Sequence, residues 1–204
     1  MRTEQKIKLL HTAAELFKKH GVKALSMDDV ARAMGMSKKT IYALVYDKAD
    51  LVKQSLELYL EAERVQMESI LGSSENSIDE LIKLADYFSN QVLDFTSSAL
   101  VDIHKHYPDA WDIYSDHRYN FMLKSILRNI ENGVKQGVYR ANLNSEIISK
   151  IYIAGVDILG NQRLFPAKEY VFLHIYKEYI NYHLRGIVSE KGLRLLEQHN
   201  IFKN

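Results

Sequence analysis

The chain has 204 residues, 47% of them apolar, enough for one sizeable core or for a small module joined to a larger one. It has no cysteine, which excludes disulfides, thiolate metal sites and a catalytic cysteine. Net charge is +1, but residues 1–55 hold 11 Lys and Arg against 6 Asp and Glu, and the remainder holds 16 against 20. That asymmetry fits a basic head that meets a polyanion, carried on an acidic body, or else a chance clustering of surface charge. Met1-Arg2-Thr3-Glu4-Gln5-Lys6 leads into a charged helical pattern rather than a leader, and no run is apolar for long enough to span a bilayer. The expectation is a cytoplasmic protein with no membrane partner.

With 2 prolines and 9 glycines, and with glycine falling mostly where helical patterns end, the chain is expected to be all-α. Ile7, Leu10, Ala14 and Phe17 line one face of a first helix that stops at Gly21. Ser26 and Asp29 have the spacing to cap a short second helix, in which Val30, Ala31 and Met34 face inward until Gly35. Ser37 caps a third, Lys38 to Leu44, with Ile41 and Leu44 turned inward. Asp47 caps a fourth, which runs from Lys48 to Leu71 and is about 35 Å long at about 1.5 Å per residue.

Residues 72–77 form the clearest polar break, and Ser77 with Glu80 has the capping-box form ahead of a helix from Ile78 to Phe95. Leu100 to His106 makes a short helix ended by Tyr107-Pro108, because the residue before proline avoids helical dihedrals while proline suits a new first turn. The next helix starts there and reaches Gly137 with a kink, and Asn144 or Ser145 opens another. Residues 146–160 and 170–184 are apolar on nearly every face, and such helices must be covered all round. The economical cover is a second copy, with Ile151, Gly155, Ile158, Leu159, Phe172, Ile175, Tyr176 and Tyr179 at a four-helix homodimer interface. The competing reading is that both helices form the centre of a monomer. Residues 189–199 read as an amphipathic tail helix.

The second helix, the turn at Gly35-Met36 and the third helix have helix-turn-helix spacing. In that motif the N-terminal residues of the second helix enter the major groove of double-stranded DNA, and Ser37, Lys38, Lys39, Thr40 and Tyr42 have suitable chemistry. The pattern alone is modest, since paired short helices occur in bundles that touch no DNA. The order of parts adds specificity: Ala13 to Gly21 ends the first helix, Ser26-Met27-Asp28-Asp29-Val30-Ala31 leads the second, Gly35 to Tyr42 follows, and Lys48 opens the fourth. In this the segment 7–56 resembles the DNA-binding domain of the TetR family of bacterial repressors. The resemblance implies that Ser26, Ser37, Thr40, Tyr42 and Lys48 hold phosphates, while Lys38 and Lys39 reach phosphates or base edges. It also implies a DNA-binding domain over 1–50, a helical ligand-binding and dimerisation domain over 51–204, and a palindromic operator. A small-molecule effector held between helices four to eight would release the DNA by moving helix four. Ala43, Leu44 and Val45 depart from the family, which usually has aromatic or polar residues followed by phenylalanine. Ala43 can touch a thymine methyl but donates no hydrogen bond, so readout is expected to lean on Lys39, Thr40 and DNA shape.

Phe88, Phe95, Trp111, Tyr114, Phe121 and Met122 suit an aromatic effector pocket or plain core. His104 and His106 are two apart and diverge on a helix, so neither they nor His117 suggest a metal site. Asp109, Asp112 and Asp116 read as a solvated acidic face, and Asp157, inside an apolar run, is expected to be paired or to face a cavity. No phosphate loop, nucleophile elbow or zinc motif is present, so neither an enzyme nor a cofactor is expected. The alternative to a DNA-binding regulator is a helical binding module of the same fold that acts through protein or small-molecule partners.

Overall fold

A computed structural model describes residues 2–91 and 97–198. Among these the regular structure is helical: α1 (Arg2–His20), α2 (Met27–Met34), α3 (Lys38–Tyr42), α4 (Lys48–Ser73), α5 (Ser77–Gln91), α6 (Ser97–His106), α7 (Pro108–Asp116), α8 (Leu123–Lys135), α9 (Ser145–Leu159), α10 (Phe172–Ile187) and α11 (Glu190–Gln198). The kink expected after Pro108 is a π-helical turn, His117–Met122, between α7 and α8. An isolated bridge pairs Tyr139 with Val188. No described helix is long and apolar enough to cross a membrane.

The chain divides into two compact units, Met1–Gln66 with Asp94–Arg118, and Met67–Leu93 with Tyr119–Asn204. The boundary expected at 50/51 falls inside the first unit, because α6 and α7 pack back onto the head. Leu9, Ala13, Phe17, Val30, Ile41, Leu51 and Val52 form its centre, and Ala99, Ile103 and Ala110 join them from α6 and α7. Ile7, expected on the inner face of α1, is 44% exposed, and Leu9 and Ala13 take that face instead. In the second unit α8 packs on α5 and α9, and α10 packs on α5 and α9. Its core centres on Ile78, Leu81, Ile126, Ile130, Tyr176, Ile180 and Leu184.

The start of α5 corrects the expected cap. Asn76, not Ser77, is the capping residue: its Oδ1 accepts from the Ile78 and Asp79 amides at 3.0 and 3.1 Å, and Asp79 accepts from the Glu75 amide at 2.9 Å. Ser77 is thereby drawn into the helix, where its carbonyl accepts from Asn129 Nδ2 and from the Tyr139 hydroxyl, both at 2.9 Å. An Asx side chain one residue upstream reaches the same orphan amides, so the sequence pattern admits both registers. Asp157, expected to be paired or to face a cavity, is paired: it accepts from the Tyr119 hydroxyl at 3.5 Å, from an exposed position on α9.

Candidate DNA interface

Local chemistry sets the shape of the head. The Ser26 hydroxyl accepts from the Asp29 amide at 3.2 Å and the Asp29 carboxylate accepts from the Ser26 amide at 2.9 Å, a reciprocal cap that starts α2 where the sequence placed it. The Ser26 hydroxyl also donates to the Asp29 carboxylate at 2.6 Å, and this bond, followed by the one from the Ser26 amide, holds the Asp29 carboxyl below its ordinary range. At the other end Gly35 takes φ of 62°, a left-handed conformation that side chains resist, and the Gly35 and Met36 amides close onto Arg32 and Ala31. The turn directs α3 away from α2. Ser37 caps α3 by accepting from the Thr40 amide at 3.1 Å, and its hydroxyl lies 2.9 Å from that of Thr40.

One face of this short helix anchors it and the others are open. Ile41 is fully buried and Val45 nearly so, which places the residue that departs from the family's phenylalanine still in the core. Ser37, Lys38, Lys39 and Tyr42 are exposed and Thr40 is half-buried, so the tip that the sequence selects as the DNA contact faces solvent. Leu44 is half-buried and Ala43 exposed. Just beyond, Tyr46 is 85% exposed, an apolar ring standing on the same tip that sequence reasoning did not select.

The fourth helix begins as expected, with Asp47 accepting from the Asp50 amide at 2.8 Å and Asp50 from the Tyr46 amide at 2.8 Å. Lys48, in its first turn, is half-buried. Desolvation lowers its ammonium from the usual lysine range, and the negative charge of Asp102 on α6 works against that shift. Asp102 also accepts from the Lys23 amide at 2.8 Å, tying α6 to the turn between α1 and α2. Nothing in the spacing of residues 79 apart announces this contact. Lys38 Nζ lies 2.7 Å from Asp28 Oδ2, and that hydrogen bond raises its pKa.

The effector-pocket candidates are distributed over both units. Trp111 and Tyr114 flank the core of the first unit with ring centroids 5.3 Å apart, and His104 lies against Trp111 at 4.3 Å. Phe88 and Phe121 border the core of the second unit, and Met122 is buried in it. Phe95 lies outside the described residues. Within the first unit α4 and α7 enclose an open groove of about 550 Å³, whose charged walls are Glu57, Glu61, Arg64, Asp112, Asp116 and His117. At its floor His117 Nε2 meets Glu63 Oε1 at 2.7 Å, both buried.

The interface candidates also separate. Leu159 and Tyr176 are occupied in their own unit's core, while Gly155, Phe172, Ile175 and Tyr179 are half-buried. Gly155 is the seat of the Tyr179 ring, since a Cβ there would collide with the phenol. Ile151 and Ile158 remain about half exposed, and so do Ile147 and Val171, which belong to the same pattern but were not singled out. Tyr182 on α10 is 79% exposed.

An exposed, basic, hydroxyl-rich α3 on a rigid α2–turn–α3 scaffold is the surface of a helix-turn-helix DNA-binding regulator. Residues 9–54 match the model of the bacterial regulatory proteins of the tetR family. The chain is 26% identical over 155 residues, 74% of its length and 78% of the relative's, to an uncharacterized HTH-type transcriptional regulator, YvaF, of Bacillus subtilis (strain 168). Its fold is similar to a transcriptional regulator from Saccharomonospora viridis solved in complex with choline, with TM-score 0.80 and 22% identity over 92% of this chain and 100% of that one. It is also similar to a TetR-family regulator from Agrobacterium tumefaciens, with TM-score 0.78 and 14% identity over 93% and 100%. Over residues 9–54, then, the head is similar to the DNA-binding segment of that family, and the remainder shares the fold of these regulators.

Proposed function

We propose that the protein is a homodimeric repressor that holds a palindromic operator through two α3 helices and leaves it when a small molecule binds. The observation that carries this reading is the exposed α3 tip, with Ser37, Lys38, Lys39 and Tyr42 open and Ile41 anchoring the helix from behind. Ser26, Ser37, Thr40, Tyr42 and Lys48 serve as phosphate contacts that fix register, and Lys39 with Thr40 supplies preference among bases. Two heads are required because five residues of α3 read too little sequence alone. The exposed stripe of Ile147, Ile151 and Ile158 supports pairing, since branched aliphatics left half in water on one helix favour a second apolar surface.

The effector in this reading is a small organic cation. Four carboxylates, Glu57, Glu61, Asp112 and Asp116, face a single groove beside one guanidinium, that of Arg64, and the Saccharomonospora viridis neighbour was crystallised with choline. Selecting bound fragments from random DNA tests the whole. A recovered palindrome with half-sites about one helical turn apart supports dimer, head and geometry together. A folded dimer whose DNA binding is absent or insensitive to salt would favour a binding module instead. Calorimetry with choline and other quaternary amines tests the effector class, with Asp112→Asn and Glu57→Gln weakening binding.

A further inference from the structure

The two acids that lead α2 have different employments. Asp29 is committed to the cap of α2 and to Arg32, whose Nη1 lies 3.2 Å from its Oδ1. Asp28 instead turns to α3 and takes Lys38 at 2.7 Å, with both side chains about half exposed at 57% and 51%. An exposed ion pair of this kind contributes little to stability, because solvent screens it and two flexible side chains must be ordered. Its position gives it another consequence. Lys38 is the first residue of α3, at the end of a recognition helix that enters the groove, and the neighbouring Lys39 makes no ion pair among the described residues.

Building on the DNA-binding reading above, we propose that Asp28 is a specificity-determining residue: it holds Lys38 off the phosphates and at the base edges, where the ammonium donates to acceptor atoms such as guanine O6 and N7. A lysine released from its carboxylate is drawn to the nearest phosphate, which is present in every sequence. One held by a carboxylate on the adjacent helix stays where only some base pairs offer it acceptors. Asp28 therefore trades general affinity for discrimination.

The test measures wild type, Asp28→Asn, Lys38→Gln and the double variant on a selected site and on random duplex across a salt series. Asp28→Asn is expected to bind random duplex about eightfold more tightly at 0.1 M salt, with a slope of log affinity against log salt steeper by about 0.9, the value of one added phosphate contact. Its preference at one base pair of each half-site relaxes. Lys38→Gln alone leaves the slope unchanged and relaxes the same base pair, and the double variant returns to the wild-type slope. The proposal is overturned if Asp28→Asn changes neither slope nor preference, or if Lys38→Gln flattens the slope while preference stays intact. Failure of the wild type itself to bind any duplex would instead overturn the DNA-binding reading.

Discussion

The two units leave opposite kinds of surface in water. The first exposes lysines and hydroxyls at α3, and the second exposes Ile147, Ile151 and Ile158 along α9 with Tyr182 on α10. Both interiors hold buried polar groups. The first buries a hydrogen-bonded pair, Glu63 with His117, and the second buries Asp79 and Glu80 together with Asn129, the Tyr139 hydroxyl and a His183 ring packed 4.8 Å from that of Tyr152. Burial pushes the Tyr139 phenol well above its ordinary value and lowers His183 to about 4, so both remain uncharged near neutrality.

The largest effect tests the apolar surface. Ile151→Asp, a charge in the middle of the exposed stripe, is expected to yield monomers in sedimentation and to weaken operator binding by about 10²–10⁴-fold as the second head is lost. A variant that stays dimeric would move the interface elsewhere. In the first unit, His117→Ala strands Glu63 in the interior, and urea unfolding should show a loss of about 3–5 kcal/mol, with Glu63→Gln milder because it keeps a hydrogen bond.

Burial of His183 gives the second unit a pH signature. His183 titrates at about 4 when folded against an ordinary 6.5, so between those values the unfolded chain binds the proton and the folded one does not. Stability should therefore be full above pH 6.5 and fall as pH drops toward 4, by about 3 kcal/mol in all, and His183→Phe should flatten that slope in pH-dependent melts. Tyr139→Phe deletes a hydroxyl that lies 2.9 Å from the Ser77 carbonyl oxygen and 3.0 Å from Asn129 Oδ1, and is expected to cost about 1–2 kcal/mol by denaturant titration. Smallest is the effect of Lys48→Ala, about eightfold weaker binding to all duplexes at 0.1 M salt with a slope shallower by about 0.9, whereas Lys39→Ala should change which sequences are preferred. Identical gel-shift profiles for the two would remove the assignment of phosphate and base roles.

Local devices were legible because their causes are local. Ser26, Gly35, Ser37 and Asp47 mark helix ends through bonds that span a few residues, and the structure forms each of them. The cap of α5 was misread because Asn76 and Ser77 offer the same oxygen to the same orphan amides one residue apart. The contacts of Asp28 with Lys38 and of Asp102 with the Lys23 amide were invisible, since neither has a periodicity and each depends on how two helices cross.

By itself the sequence determined that the chain is helical, where most of its helices begin and end, and that a basic, hydroxyl-bearing tip opens α3, because helix caps, left-handed glycines and apolar spacing act within a turn or two. Only the tertiary structure decided which apolar residues of α9 and α10 stay in water, that α6 and α7 belong with the head, and that Asp28 claims Lys38. A helix has more than one face able to bury, and which face is covered depends on neighbours brought from far along the chain.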